Sequence, residues 1–298
     1  MTTEEYIKKI EDLETAKNVE QAMSVCEEAL GKFPEEPKLY YIKARLLWNQ
    51  DSPFDGELFS NLLKKATDLA PNWAEPHKLW AYVTEQLGQP DMAIKGYERA
   101  LAIDPQDADT WWKSAEVKQL LSDFTGSIED ATHAIDISKE NAREIYYAQR
   151  GASKRALGDF DGALADYQKA IEINPNYGGG FLDIAEIKFQ QQDWQGAIDM
   201  ISNAIKLFPQ HAPAYGMRGE AKIQLNDLKG ALQDFQQALF LDPKDERPLP
   251  RIAELQNQLL AQIPEGTQAL HVTLKTGHKA MQIPLNGEMI TFIELPRA

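Results

Sequence analysis

The chain has 298 residues, of which 43% are hydrophobic and 26% charged, so it carries enough apolar material to bury a core and is not disordered in composition. Its 31 Lys and Arg stand against 46 Asp and Glu, a formal net charge of −15. That balance argues against a nucleic-acid backbone or an anionic membrane surface as the main partner and leaves basic partners electrostatically favoured. A single cysteine, Cys26, excludes an intramolecular disulfide framework.

The opening "MTTEEYIKKIEDLE" lacks the apolar run of a signal peptide, and no stretch approaches the roughly 20 apolar residues of a membrane span. The expectation is a soluble, cytoplasmic chain. From Lys17 a phrase begins that the chain repeats. "KNVEQAMSVCEEALGKFPEE" is followed by "FDGELFSNLLKKATDLAPNW" from Phe54, "GQPDMAIKGYERALAIDPQD" from Gly88 and "SDFTGSIEDATHAIDISKEN" from Ser122. Further copies start at Gly158, Gln192 and Asn226, so successive starts lie 37, 34, 34, 36, 34 and 34 residues apart. A period this regular signals a solenoid.

Each copy is the second half of a two-helix unit. The first halves, such as "IYYAQRGASKRAL" (145–157), "FLDIAEIKFQQQ" (181–192) and "AYGMRGEAKIQL" (214–225), space apolar or small residues at intervals of three and four. Gly88, Gly158 and Asn226 fall at the turn, where a left-handed backbone is cheap for such residues. Pro71, Pro105, Pro175, Pro209 and Pro243 close the second helices. Ala93, Ala163, Ala197 and Ala231, and seven residues on Ala100, Ala170, Ala204 and Ala238, share one face, with Tyr97, Tyr167 and Phe235 filling the gap between them.

After the last copy, "ERPLPRIAELQNQLLAQ" (246–262) has an apolar stripe of Ile252, Leu255, Leu259 and Leu260, with Gln256, Gln258 and Gln262 elsewhere on the helix. It reads as a capping helix. Residues 263–298 change to a period of two: Leu270, Val272 and Leu274 alternate with polar residues, as do Met281, Ile283 and Leu285 before Asn286–Gly287. This predicts two or three short antiparallel strands that must pack on the cap helix, join another sheet or pair with a second copy of the chain.

No catalytic constellation is evident. The five histidines are scattered apart from His271 and His278, which flank a predicted turn without a third metal ligand nearby. Cys26 falls at a core packing position, as a buried structural thiol. "YGGGF" (177–181) joins two helices and lacks the Lys-Ser/Thr of a phosphate-binding loop, which reads as a flexible turn between repeats. No cofactor and no metal site are expected.

With these residues in view, the chain resembles the tetratricopeptide repeat family, most clearly over 146–175 and 215–243, and in total over about residues 3–245. It departs from the pattern where Lys139 takes the proline position, where repeats two and five carry extra residues, and in the first two, degenerate repeats. The resemblance implies an all-α, right-handed superhelix, an α-solenoid of about seven repeats, with the capping helix at 246–262 and the β tail at 263–298. It further implies that first helices line a concave groove, which here would present Lys78, Tyr82, Trp112, Glu116, Arg155, Leu182, Glu186, Phe189 and Glu220. The carboxylate clamp of chaperone-binding members is matched only by Lys78; Tyr82, Lys113, Ile145 and Gln149 stand at its other positions. The expected function is a non-catalytic scaffold that holds a partner protein or peptide with basic and apolar side chains in the groove. Association through the β tail, with a partner or a second copy, is the alternative. A third reading places an enzyme site using His271 or His278 where tail and groove meet.

Overall fold

The structure is a computed structural model that describes residues 1–50, 53–264, 267–273, 279–285 and 287–294. The chain forms two compact units, Met1–Leu157 and Gly158–Ala298. The first unit contains, in alternation, first helices α1 (Thr3–Thr15), α3 (Pro37–Trp48), α5 (Glu75–Gln86), α7 (Ala108–Leu120) and α9 (Glu144–Ala156) and second helices α2 (Val19–Lys32), α4 (Gly56–Leu69), α6 (Pro90–Ile103) and α8 (Phe124–Ser138). The second unit begins with α10 (Phe160–Ile173) and continues through α11 (Gly178–Gln190), α12 (Trp194–Leu207), α13 (Ala212–Gln224), α14 (Leu228–Leu241) and α15 (Pro248–Leu260). It ends in an antiparallel sheet of order β1-β2-β3, with β1 Leu270–Thr273, β2 Lys279–Leu285 and β3 Glu288–Ile293.

The turn between a first and a second helix is built the same way many times. One residue adopts the left-handed conformation: Lys17 (φ 58°), Gly88 (70°), Ser122 (62°), Gly158 (82°), Gln192 (58°) and Asn226 (59°). This bends the chain so that orphan carbonyls at the helix end find donors, as when Gln192 and Asp193 donate N–H groups to Phe189 and Lys188 at 3.0 and 2.8 Å. The next residue then caps the second helix. Asp123, Asp159, Asp193 and Asp227 each accept an N–H at 2.9 Å from the glycine three residues on. A Cβ on Gly126, Gly162, Gly196 or Gly230 would come within 2.1–2.3 Å of the capping carboxylate, so glycine at that position belongs to the cap.

Second helices stop two residues before a proline where one is present. At Lys139, which stands in the proline position, α8 ends instead in a left-handed residue (φ 52°) and a single 3-10 turn, Lys139–Asn141. The glycines of "YGGGF" are not a flexible turn. They form the first turn of α11, where Gly178 and Gly180 are buried and an added Cβ would strike Phe208 at 2.3 Å and Ile171 at 2.9 Å. Close packing, rather than backbone freedom, selects them.

The alanines at the two recurrent positions are all buried, as are Tyr97, Tyr167 and Phe235. Within several hairpins a buried aspartate adds a polar lock: Asp130 meets Lys118 at 2.7 Å and the Ser114 hydroxyl, and Asp234 takes both Arg218 and Lys222 at 2.7 and 2.8 Å. Such a carboxylate is tolerated inside because it is fully paired. Gly96 occupies the corresponding position of α6, where a Cβ would lie 2.7 Å from Ala81 Cβ and 2.8 Å from the Trp80 ring. An indole against bare backbone replaces the ion pair there.

α15 is covered on its outer side by the sheet. Ile283, Leu285, Ile290 and Phe292 pack with Leu232 and Phe235 of α14 and with Ile252, Leu255 and Leu259 of α15. Gln256, expected on the polar side of the helix, is buried because its amide donates to the Ile293 carbonyl at 3.2 Å, while Gln236 donates to Thr291 at 2.9 Å. These two glutamines occupy the outer edge of β3, while Lys229 reaches the Leu285 carbonyl at the end of β2 and the Glu288 carboxylate at the start of β3, both at 3.0 Å. The alternation of β1 does not face this core. Leu270 pairs with Gln282 and His271 with Met281, so Leu270 lies on the opposite sheet face from Ile283 and is 58% exposed. Leu274, His278 and Asn286 lie outside the described residues.

Gln192→Gly should raise stability by about 0.5–1 kcal/mol, because the left-handed penalty of about 1–2 kcal/mol outweighs the entropy glycine adds to the unfolded chain. Urea unfolding measures the gain, and no gain would show that Gln192 is unstrained. Gly96→Ala should cost about 1–3 kcal/mol through overpacking against Ala81, read as a lower melting temperature.

Candidate functional site

The residues expected to line a groove divide between the units. In the first unit, Lys78 of α5 is held by Asp107 and Glu75 at 2.9 and 3.0 Å. Asp107 also caps α7, accepting from the Thr110 N–H and hydroxyl at 3.2 and 2.6 Å. Burial works against the charge of Asp107, yet the bonds from Thr110 and Lys78 hold its carboxyl below the usual carboxylate range. Lys78 thus staples α5 to the start of α7, and its cation is already matched.

Beside it, Tyr82 is 41% exposed. Trp112 is half-buried, with the Lys113 ammonium 4.7 Å from its ring centre and the Tyr146 ring 6.4 Å away. The same Lys113 binds Glu116 at 2.8 Å and lies 3.8 Å from Glu85, which also accepts from Tyr97 at 2.8 Å. Asp109 takes Arg143 at 2.8 Å and the Tyr146 hydroxyl at 2.7 Å. The acids of this face therefore form a net of pairs. Arg155 stands half-buried in the last turn of α9, where a cation complements the helix dipole.

In the second unit, Leu182 and Phe189 of α11 pack with Ile201 and Met217, and Phe189 meets Trp194 edge-on at 5.5 Å. Glu186, Phe189 and Gln190 join Met217 and Glu220 of α13 around an open hollow of about 370 Å³. A second hollow of about 270 Å³ continues from Met217 and Glu220 past Pro213 and Gly216 to Arg247 and Arg251. Arg251 grips Glu220 with two nitrogens, at 2.9 and 3.2 Å, and touches Glu254 at 3.1 Å. The structure thus brings Glu186, Phe189 and Glu220 together. Sequence reasoning missed Met217, which joins Phe189 and Glu220 around the first hollow from α13, and Arg251, because α15 reads in sequence as a shield. Its Pro248 at the helix start, matching Pro37, Pro76 and Pro213, was the signal that it continues the row of first helices.

Successive helix-turn-helix units of this length, with alanine seams and capped turns, define a helical-repeat protein. Tetratricopeptide repeat profiles match residues 80–107, 145–177 and 182–246, and the chain belongs to the tetratricopeptide repeat proteins. It is 29% identical over 133 residues to tetratricopeptide repeat protein 36 of Danio rerio, a match covering 44% of this chain and 65% of that one. It spans less of the other curated relatives it matches. Among solved structures, the C-terminal part of a repeat protein from Cytophaga hutchinsonii superposes with a TM-score of 0.65 at 17% identity, covering 82% of this chain and 98% of that one. YrrB, described as a TPR protein with an unusual peptide-binding site, gives 0.50 at 18% identity over 63% and 96% of the two chains. These likenesses concern the fold.

Among the described residues no group of three His, Cys, Asp or Glu is disposed to hold a metal ion, and no helix is long and apolar enough to cross a membrane. His271 is exposed on β1. Cys26 is fully buried, its thiol donating to the Leu39 carbonyl at 3.4 Å, and burial pushes its pKa from 9.0 up to about 12. Below pH 9.0 both folded and unfolded chains keep this proton; between 9.0 and about 12 only the unfolded chain releases it, so stability falls as pH rises through that window. Unfolding free energies should decline more steeply above pH 9 in the native chain than in Cys26→Ala. A thiol reagent at pH 8 should label only the denatured protein, and prompt labelling of the folded chain would contradict the burial of Cys26.

Proposed function

We propose that the chain is a non-catalytic interaction scaffold that holds a segment of another protein against the face formed by its first helices. The observation that carries this reading is Gly216. A glycine inside a helix costs about 1 kcal/mol relative to alanine. At Gly216 nothing lies within 4 Å of the place a Cβ would take, so packing gives no reason for a bare backbone there, whereas an occupant of the hollow does. The half-buried Phe189 and Met217 supply apolar anchorage, and Glu186 and Glu220 favour a basic side chain. In the first unit, Tyr82 and Trp112 offer aromatic surface one helical turn from Lys78 on α5 and from Glu116 on α7, and Arg155 adds a cation on α9. Because Glu116 and Glu220 already have cations, a basic partner exchanges one pair for another, which favours encounter and register more than affinity. The likeness to YrrB, with its peptide-binding site, agrees with this reading. Nucleic acid and membrane are not expected as partners.

Leu270 and Met289, 58% and 47% exposed on one face of the sheet, favour a second reading in which the tail meets a partner or another copy of the chain. The edge available to it is that of β1, since Gln236 and Gln256 fill the edge of β3. Deleting the tail would strip Leu232, Phe235, Ile252 and Leu255, so point variants separate the readings better. Affinity capture from native lysate should compare the full chain with Gly216→Leu and with Leu270→Lys/Met289→Lys, each checked for folding. Partners lost with Gly216→Leu and kept by the tail variant support the first-helix face. Partners lost only with the tail variant move recognition to the sheet, and retention by both sinks the proposal.

A further inference from the structure

We propose that a second site, on the second-helix side of the first unit, binds the phosphate group of a phosphate monoester. Helices α4 and α6 flank the beginning of α5, and between them lies a hollow of about 260 Å³. Lys64 enters it from α4, Arg99 from α6, and His77 and Trp80 from α5, with the Ser60 and Thr67 hydroxyls at its rim. No carboxylate is among the residues that line it.

In a chain with a net charge of −15 that combination is an exception. Every other described arginine has a hydrogen-bonding, ionic or other electrostatic partner. Among the described residues neither Arg99 nor Lys64 has an ion pair, although the first-helix face nearby matches Lys78 and Lys113 with acids. Cations that gather without a carboxylate create a local positive potential which only an incoming anion relieves.

The reason lies in the repeat itself. Thirty-four residues before Asp130, α6 carries Gly96; Thr84 stands where Lys118 recurs, and Trp80 at the position held by Ser114 and Arg218 in the acid-bearing hairpins. The buried acid that locks other hairpins is missing from this one, and the Trp80 ring lies against Gly96 instead. That acid stands in three of the seven second helices, as Asp130, Asp166 and Asp234, and where glycine takes its place in α6 the indole supplies the hollow with a flat apolar wall.

The donors suit phosphate. Ser60 and Thr67 commit their protons to the Gly56 and Lys64 carbonyls, both at 2.8 Å, which leaves Lys64, Arg99 and His77 as donors. A guanidinium fork matches two phosphate oxygens at once. A phosphate monoester carries about −1.5 to −2 charges near neutral pH, enough to answer both permanent cations, which a single carboxylate is not. Burial first and the Arg99 charge second push His77 below the ordinary imidazole range. With Lys64 and Arg99 the charged groups on the walls around it, His77 stands neutral until an anion arrives and draws a proton onto it.

The test is a titration followed by NMR, at constant ionic strength set with sodium chloride. Inorganic phosphate, O-phosphoserine, adenosine monophosphate and acetate are added separately, while the Trp80 indole N–H (assigned with Trp80→Phe) and the His77 ring are observed. The expected result is a saturable shift of Trp80 and an upward move of the His77 titration midpoint. Arg99→Gln and Lys64→Gln, both exposed positions that should leave the fold intact, should each weaken binding by about tenfold or more. Tighter binding of phosphoserine than of inorganic phosphate identifies a modified side chain as the source of the monoester, and tighter binding of the nucleotide a small metabolite. The proposal is overturned if acetate binds as well as phosphate, if both esters bind more weakly than inorganic phosphate, or if the shifts survive Arg99→Gln unchanged.

Discussion

Two helices whose contact positions carry only methyl groups can bring their backbones closer than larger side chains allow, and the rest of this structure depends on that approach. The seam at Ala93 and Ala100, repeated at Ala163 and Ala170, Ala197 and Ala204, and Ala231 and Ala238, is buried throughout. Once the axes are fixed by it, the bulky residues have nowhere to go but the spaces beside the seam, where Tyr97, Tyr167 and Phe235 stand. The turn must then return the chain within a few residues, which explains a left-handed residue followed at once by a capping aspartate. A wider turn would leave helix-end donors and acceptors without partners. Local turn chemistry and long-range packing therefore demand the same geometry, the consistency expected of a sequence that specifies one fold.

Electrostatics follows a different logic from the net charge. Several acids of the first-helix face are answered by cations, Asp107 by Lys78 and Glu220 by Arg251 across helices and Glu116 by Lys113 within α7. Half-exposed pairs of this kind contribute only about 0–1 kcal/mol each, so their value lies in orienting side chains more than in stability. The pairs around Asp130 and Asp234 are another matter, because an unmatched charge at those buried positions would be costly. Excess negative charge is thus a property of the whole surface, while individual places on it are neutral or, around Arg99, positive.

Much of this was legible in the sequence, because the period, the alanines, the turn residues and the prolines each report a local necessity. Lys139 shows what such a reading cannot supply. Its departure from proline was evident, yet only the backbone shows how a left-handed residue and a 3-10 turn take over the work of stopping α8. The glycines at 178–180 look alike in sequence to a hinge and to a tight contact, and the decision rests on Phe208, thirty residues away. Leu270 illustrates the same limit in a strand: alternation gives two faces, and register alone decides which one is covered. For the candidate site, chain position located Glu186, Phe189 and Glu220. Met217 is placed there by the packing of α13 against Leu182 and Phe189 of α11, and Arg251 by α15 continuing the row of first helices.

Helix α5 ties the two proposed surfaces to one element. With about 100° between successive residues, neighbours in sequence point to different sides. His77 and Trp80 line the hollow between α4 and α6, whereas Lys78 and Tyr82 belong to the face shared with α7. The helix is held from both directions, by the Trp80 ring and Ala81 against Gly96 and by the Lys78 bond to the cap of α7. Gly96 leaves no slack for α5 to move toward α6, since even a methyl group would collide there. An anion beside His77 can therefore change charge and hydrogen bonding on its own side while α5 stays in place. Coupling between the two surfaces would require a second arrangement of this helix, and the contact at Gly96 is built against one. The two sites are accordingly expected to act as independent ligand positions on a common rigid support.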